Sequence, residues 1–267
     1  MRESNQGLES VKPVLPVAAY FGGKRNLAKN LSARIAAIPH ETYVEPFIGM
    51  GGVFLRRSHK PKGEIINDLN RDVANLFRVL QRHYNPLMDM LRWQITSRDE
   101  FKRLLSANPD SLTDLERAVR FLYIQRCGFS GMLQRRAFSV STAAPGRFDM
   151  ARLAPMLEDV HARMTGVIIE CLPWADIIDR YDRPSTLFYL DPPYWGNEKD
   201  YGAPFSRDQF TEMADRLAGI QGRFILSLND RPEVREVFHR FKIEAVEVNY
   251  TITPKSVGRR GEVIISN

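Results

Sequence analysis

The sequence predicts a mixed α/β protein built on a parallel sheet and interrupted by a mainly helical, basic segment. Three observations carry that reading. Short apolar runs ending on glycine or polar residues alternate with helix-period segments over 42–83 and again over 167–228. Between these blocks, 84–165 changes character, with several helix-period stretches around an irregular arginine-rich one. Finally, the run Leu187-Phe188-Tyr189-Leu190 stops at Asp191-Pro192-Pro193-Tyr194. Two prolines cannot continue a central ladder, so the chain turns at the strand's carboxyl end, where open α/β sheets hold their ligands.

Each element follows from local pattern. Residues 1–12 are polar and lack periodicity, as a loose arm would. Tyr20-Phe21-Gly22-Gly23-Lys24 is a turn leading into a helix with Leu27, Leu31, Ile35 and Ile38 on one face, which Pro39 stops. A buried strand at 42–47 breaks into the turn Gly49-Met50-Gly51-Gly52, and Val53 to Arg57 read as the start of a helix. A strand at 63–68 precedes a helix at 72–83. Helices are expected at 86–95, 98–106, 113–125 and 150–163, with 126–147 lacking helical period. Strands at 167–171, 186–190 and 224–228, a helix at 206–219 and a final strand pair at 243–250 and 262–266 complete the chain. The domain division is a catalytic unit of 1–83 and 166–267 and a recognition insert at 84–165. Trp93 and Trp174 are assigned to the core.

Composition narrows the class. The chain has 267 residues, 43% hydrophobic and 26% charged, an ordinary globular balance. Its two cysteines, Cys127 and Cys171, lack metal or disulfide spacing, and the five histidines are scattered, so no metal is expected. No apolar run approaches the roughly 20 residues needed to span a bilayer, and no secretory signal is seen. A soluble cytoplasmic protein is expected. The net charge of +6 favours an anionic partner. Between Arg78 and Arg163 stand 14 Lys and Arg, 13 of them arginine, against nine Asp and Glu, a surplus of five. Arginine suits bidentate phosphate and guanine contacts.

The strand-end turn has a specific chemistry. Adenine N6 carries two hydrogens and can donate to the Asp191 carboxylate and the Pro192 carbonyl together. Those bonds favour a pyramidal nitrogen whose lone pair is free to attack a sulfonium methyl, while Tyr194 stacks on a base taken out of the duplex. Gly49 and Gly51 keep side chains away from a ligand, and Asp68 ends the next strand about twenty residues on, a position suited to ribose hydroxyls. Phe54 stands where a nicotinamide-binding fingerprint needs its third glycine, and no Gly-Lys-Ser or Gly-Lys-Thr of a Walker loop follows.

With these motifs in order, the chain resembles the Dam-type, D12 class of adenine-N6 DNA methyltransferases from about Val17 to Asn267. Tyr20 to Lys24 resemble the family's N-terminal cofactor motif, which implies that Tyr20 and Lys24 line an S-adenosylmethionine site. Glu45-Pro46-Phe47-Ile48-Gly49-Met50-Gly51-Gly52 match the glycine motif that packs on the cofactor's methionine part, so Glu45, Phe47, Gly49 and Gly51 are implied there. Asn67-Asp68-Leu69-Asn70 match the next motif, with Asp68 on the ribose. Asp191 to Tyr194 match the catalytic motif, implying Asp191, Pro192 and Tyr194 as catalytic residues, with Asp191 also at the cofactor. The resemblance implies a Rossmann-like S-adenosylmethionine-dependent methyltransferase sheet with a mainly helical target-recognition insert. It further implies an adenine-specific enzyme on double-stranded DNA, bacterial or phage-encoded, in restriction-modification or related DNA methylation. A monomer or weak dimer is expected.

Arg126, Arg135, Arg136 and Arg147 are the candidate DNA contacts. The stretch from Arg126 to Arg136 keeps a family-like Phe-Ser-Gly core, but its flanks differ from the recognition hairpin of GATC enzymes, so no base contact is carried over. Asn229-Asp230 are weighed as cleft residues against a simple turn, the 255–260 basic loop as a DNA-backbone contact against a solvated loop, and Trp195 as a residue closing over the site against packing. Asp191 favours adenine over cytosine-N4 or protein-glutamine chemistry, where serine or asparagine stands. Two alternatives remain open at this level: an adenine methyltransferase of RNA, or a DNA-binding relative that has lost catalysis.

Overall fold

The structure is a computed structural model describing residues 7–129, 131–133, 136–197, 205–250 and 258–267, apart from the side chains of 248–250 and 258–260. The first block contains β1 (Glu9–Ser10), α1 (Ala28–Ala37), β2 (Thr42–Glu45), β3 (His59–Lys60), β4 (Gly63–Asn67) and α2 (Arg71–Arg82). Four helices follow, α3 (Tyr84–Leu91), α4 (Arg98–Ser106), α5 (Asp114–Cys127) and α6 (Met150–Arg163). The second block comprises β5 (Ile168–Glu170), α7 (Trp174–Tyr181), β6 (Thr186–Leu190), α8 (Asp208–Ala218), β7 (Arg223–Asn229), α9 (Pro232–Val237), β8 (Lys242–Tyr250) and β9 (Gly258–Ser266). Side-chain caps set several helix starts: Asn70 accepts from the Asp72 amide, Ser97 from Glu100 and Asp149 from Ala151, while Thr113 and Glu116 form a reciprocal box.

Seven strands form one sheet in the order β5-β4-β2-β6-β7-β9-β8. The pairs from β5 through β7 are parallel, and β9 is antiparallel to both β7 and β8. The chain runs outward from β2 through β4 to β5, then returns to lay β6 on the other side of β2. The carboxyl ends of β2 and β6 therefore flank a topological switch point, the crevice where such sheets bind ligands. Alternate residues divide the core. Tyr43, Leu187, Tyr189 and Ile225 pack with α1 to α6, whereas Val44, Phe188, Leu190 and Leu226 pack with α7 to α9. Helices α3 to α6 thus share one apolar core with a sheet face and form no separate globule.

Three expectations need correction. The helix anticipated from Val53 is only a 3-10 turn at Phe54–Arg56, because the chain extends at Arg57 and enters β3. That strand pairs with β1, Glu9 opposite Lys60, so the N-terminal segment is tied down from residue 9, while residues 1–6 lie outside the described residues. Trp93 is 79% exposed, since α3 stops at Leu91 and helical periodicity no longer directs it inward. The short helices α7 and α9 are additions to the expected set. Trp174 is buried as expected. Among the described residues no helix is long and apolar enough to cross a membrane.

A buried ion cluster joins the helical segment to the sheet. Arg163, at the end of α6, donates to both Glu64 oxygens at 2.7 Å, and Arg57 donates to the same carboxylate. The Arg57 guanidinium lies 3.7 Å from the centroid of the Tyr43 ring and that of Arg163 lies 4.1 Å from Phe54's. Glu64→Gln would leave two buried guanidinium groups without their countercharge. It should cost about 3–5 kcal/mol, seen in thermal unfolding as a Tm lower by on the order of 10 °C; an unchanged Tm would contradict the assigned role of the cluster.

Candidate active site

Strand β6 is buried along its whole length and delivers Asp191 to the carboxyl edge beside the end of β2. Pro192 and Pro193 are buried, and Tyr194 is half-buried. Asn229, ending β7, clamps the next backbone unit: its amide donates to the Trp195 carbonyl at 3.0 Å and its oxygen accepts from the Trp195 amide at 3.0 Å. Asn229 is therefore a brace beneath the catalytic-motif turn. Its neighbour Asp230 is held by Arg235. Trp195 packs on Phe210 at 5.0 Å between ring centroids, the packing role among those weighed.

The side chain of Lys24 is 1% exposed and gathers the polar groups of this edge. Its Nζ lies 2.9 Å from Asp191 Oδ1, donates to the Tyr194 hydroxyl at 2.5 Å and approaches Glu262 Oε2 at 3.4 Å. Tyr194 in turn donates to Glu262 Oε1 at 2.5 Å, and the lysine nitrogen sits 4.2 Å from the tyrosine ring centroid. Ser227 donates to Asp191 Oδ1 at 3.2 Å. Both described partners of Asp191 thus sit on Oδ1. Burial pushes the Asp191 carboxyl up to about 6; Lys24 opposes that rise and Glu262 adds to it.

The glycine turn forms the adjoining wall. Gly49, with φ of 49°, lies under Tyr20, whose ring carbons would be 2.9 Å from a Cβ placed there. Its amide donates to Asp68 Oδ2 at 2.9 Å, and Asn70 donates to Oδ1 at 2.9 Å. Burial still raises the Asp68 carboxyl to about 6 against those two bonds. Asn67 donates to the Pro46 and Leu172 carbonyls and accepts from the Leu172 amide, tying the β2, β4 and β5 ends together. Glu45 is buried beneath the turn, accepting from Tyr43 at 2.6 Å, and burial lifts its carboxyl to about 8.

These walls enclose a cavity of about 550 Å³. Tyr20, Lys24, Glu45, Phe47, Gly49, Asp68 and Asp191 all line it, as do Trp174 and Phe205. Gly51 does not belong with them. A Cβ at Gly51 would lie 2.8 Å from Leu55 and 3.6 Å from Phe77, so its missing side chain serves core packing.

The basic stretch meets the same cavity. Gly131, with φ of 68°, packs so closely on Ala19 and Tyr20 that a Cβ would lie 2.7 Å from their backbone, and its carbonyl accepts from the Phe21 amide at 3.1 Å. Arg126 lines the cavity and donates to the Val17 and Arg147 carbonyls at 3.0 and 3.2 Å. Arg136 donates to the Leu133 carbonyl, and exposed Arg147 donates to Gly128. These described arginines brace backbone carbonyls, Arg136 and Arg147 within the segment and Arg126 also at Val17. Arg135 lies outside the described residues, as do 255–257 of the basic loop.

A family model described as D12 class N6 adenine-specific DNA methyltransferase matches residues 20–252. The chain is 26% identical to the DNA adenine methylase of Escherichia coli K12 over 90% of each sequence. It is 24% identical to the Type II methyltransferase M1.LlaDCHI of Lactococcus lactis subsp. cremoris, covering 94% of this chain and 95% of that one. Against the Type II methyltransferase M.CviBI of Paramecium bursaria Chlorella virus NC1A, identity is 21% over 93% and 95%.

The two glycines of the turn should separate in stability measurements. Gly51→Ala forces a Cβ against buried Leu55 and Phe77 at positive φ and should cost about 2–3 kcal/mol. Gly49→Ala meets the half-buried Tyr20 ring, which can swing aside, and should cost about 1–2 kcal/mol. Chemical denaturation gives the order; a larger loss at Gly49 would contradict these placements.

Proposed function

The chain belongs to the D12 class of N6 adenine-specific DNA methyltransferases, and from that premise we propose how its residues divide the work of methylating adenine in DNA. The observation that carries the proposal is the state of Asp191. Its Oδ1 is held by Lys24 and Ser227, on a proline-stiffened turn at the edge of a cavity walled by Gly49 and Asp68.

S-adenosylmethionine fits the residues that line the cavity. Asp68 would take ribose hydroxyls, Tyr20 and Phe47 would lie against the molecule, and the bare backbone at Gly49 would admit it closely. Asp68 and Asp191 suit a ligand with hydroxyls and positive charge, and Glu45, its carboxyl lifted to about 8 by burial, lines the same cavity. When bound, it supplies an electrophilic methyl group on a sulfonium.

The chain's own contribution is to prepare the nucleophile. Asp191 Oδ2 and the Pro192 carbonyl accept the two N6 hydrogens of an adenine swung out of the duplex. This draws the nitrogen lone pair out of conjugation and aims it into the cavity. Tyr194 stacks on the base, its ring held through its hydroxyl by Lys24 and Glu262. N6 takes on the positive charge as the N–C bond forms and the methyl's bond to sulfur breaks, which leaves a neutral thioether, and one proton must then leave the nitrogen. The Asp191 carboxylate, already hydrogen-bonded there, is the acceptor. No covalent link to the enzyme is needed. Residues 84–165 act as the recognition segment, with exposed Arg147 reaching phosphate and Arg126 coupling the segment to the cavity wall.

Two outcomes test this. Unmethylated plasmid DNA incubated with the protein and S-adenosylmethionine should acquire N6-methyladenine at one short motif, read by modification-sensitive sequencing, and Asp191→Ala should reduce the rate by about 100-fold or more. Cofactor binding without adenine modification would exclude DNA as substrate. Because only ionised Asp191 accepts both the hydrogen bond and the proton, the single-turnover rate should fall as pH drops through about 6. A rate flat from pH 8 to roughly pH 5 would contradict that role.

A further inference from the structure

Glu262 belongs to no motif that points to the reaction, and the family match ends at residue 252. Yet its side chain, 1% exposed, is turned toward the catalytic turn. Its β9 neighbours Val263, Ile264 and Ile265 are buried and apolar. A charge among them is costly to desolvate, and an apolar residue would fill the space at lower cost. The location explains its presence. Strand β9 runs antiparallel to β7, so its early residues reach the same sheet edge as the carboxyl ends of β6 and β7. Glu262 sits directly opposite Asn229, and cross-strand partners share a face. Asn229 grips the Trp195 backbone while Glu262 accepts from the Tyr194 hydroxyl. One cross-strand pair therefore holds the Tyr194 hydroxyl and the backbone of the residue that follows it.

We propose that Glu262 is a positioning residue for methyl transfer, acting through Tyr194 and Lys24 to set the stacking ring and the orientation of Asp191. The inference rests on the reading of Asp191 and Tyr194 as the base-binding pair. Lys24 Nζ stands between the two carboxylates, 2.9 Å from Asp191 and 3.4 Å from Glu262. Glu262 Oε1 accepts from the tyrosine hydroxyl, and Oε2 lies within ion-pair distance, 3.4 Å, of the ammonium that engages Asp191 Oδ1, leaving Oδ2 toward the substrate. Among the described residues, the titratable and charged groups facing Asp191 are Lys24 from the N-terminal segment, Glu262 from β9, Glu45 from β2 and Tyr189 from β6. Ser227 from β7 adds a hydrogen bond. Glu262 is a like charge in this set, so removing it lowers the pH at which Asp191 titrates.

The test is Glu262→Gln, which keeps an oxygen for the tyrosine hydroxyl but removes the charge. Calorimetry with S-adenosylhomocysteine should give an affinity within about twofold of wild type, since Asp68, Phe47 and Gly49 are untouched. The single-turnover rate should fall by about 10- to 100-fold. The acidic limb of the rate profile should move to lower pH, and so should the Asp191 titration followed by carboxyl-carbon NMR in the protein alone. An unchanged rate and unchanged Asp191 titration would overturn the proposal. So would a lower rate accompanied by an unmoved titration, which would mark a purely structural residue. Should Glu262→Gln fail to fold, Tyr194→Phe decides, because it breaks the same link from the other side. A loss of about tenfold with cofactor affinity retained supports the proposal, and a wild-type rate overturns it. Failure of the underlying reading would show instead as wild-type protein that does not methylate DNA.

Discussion

A lysine ammonium withdrawn from water organises the carboxyl edge of this sheet. Lys24 is 1% exposed, and its charge is tolerable there only because Asp191, Glu262 and the Tyr194 hydroxyl converge on it. The same geometry places two carboxylates around one cation, and burial pushes the Asp191 carboxyl up to about 6, with Lys24 opposing the rise and Glu262 adding to it. An acid so tuned is ionised at neutral pH and still basic enough to take a proton from a methylated amine. The turn that carries it is stiffened by two prolines and clamped by Asn229, so little reorganisation is left for the reaction itself.

Topology does the gathering. Lys24 precedes α1, Glu45 ends β2, Asp68 follows β4, Asp191 follows β6 and Glu262 is the first residue of β9 paired with β7. The reversal of strand order between β2 and β6 opens the crevice, and the antiparallel course of β9 brings in the last member. The helical, arginine-rich segment is tied to the same place. Gly131 packs against the backbone of Ala19 and Tyr20, and Arg126 binds the Val17 carbonyl. The segment proposed to read DNA therefore shares a wall with the cavity proposed to hold the cofactor, and α6 anchors it below through the Glu64 ion cluster.

Much of this is legible in the sequence wherever the chain itself imposes the conformation. Asp191 to Tyr194 stand at a strand end that prolines terminate; Gly49 occupies a positive-φ turn; Asp68 closes the next strand. Those positions follow from local pattern alone. What escaped depends on partners distant in the chain. Gly51 reads as a second ligand-facing glycine, yet Leu55 and Phe77 claim its space. Arg126 and Arg136, candidate DNA contacts by type, also hold backbone carbonyls in the structure, a role composition does not reveal. Trp93 reads as core until the end of α3 at Leu91 leaves it outward. Glu262 stands as a lone charge in an apolar strand, and its bearing on the site emerges only once β9 is paired with β7.

The most direct test is a crystal structure of the protein with S-adenosylhomocysteine and duplex DNA carrying the target adenine. The adenine should lie outside the helix, its N6 within hydrogen-bonding distance of Asp191 Oδ2 and the Pro192 carbonyl, its ring on Tyr194, and the ribose of the ligand at Asp68. An adenine left stacked in the duplex, or one held elsewhere with Asp191 still facing only Lys24 and Ser227, would contradict it.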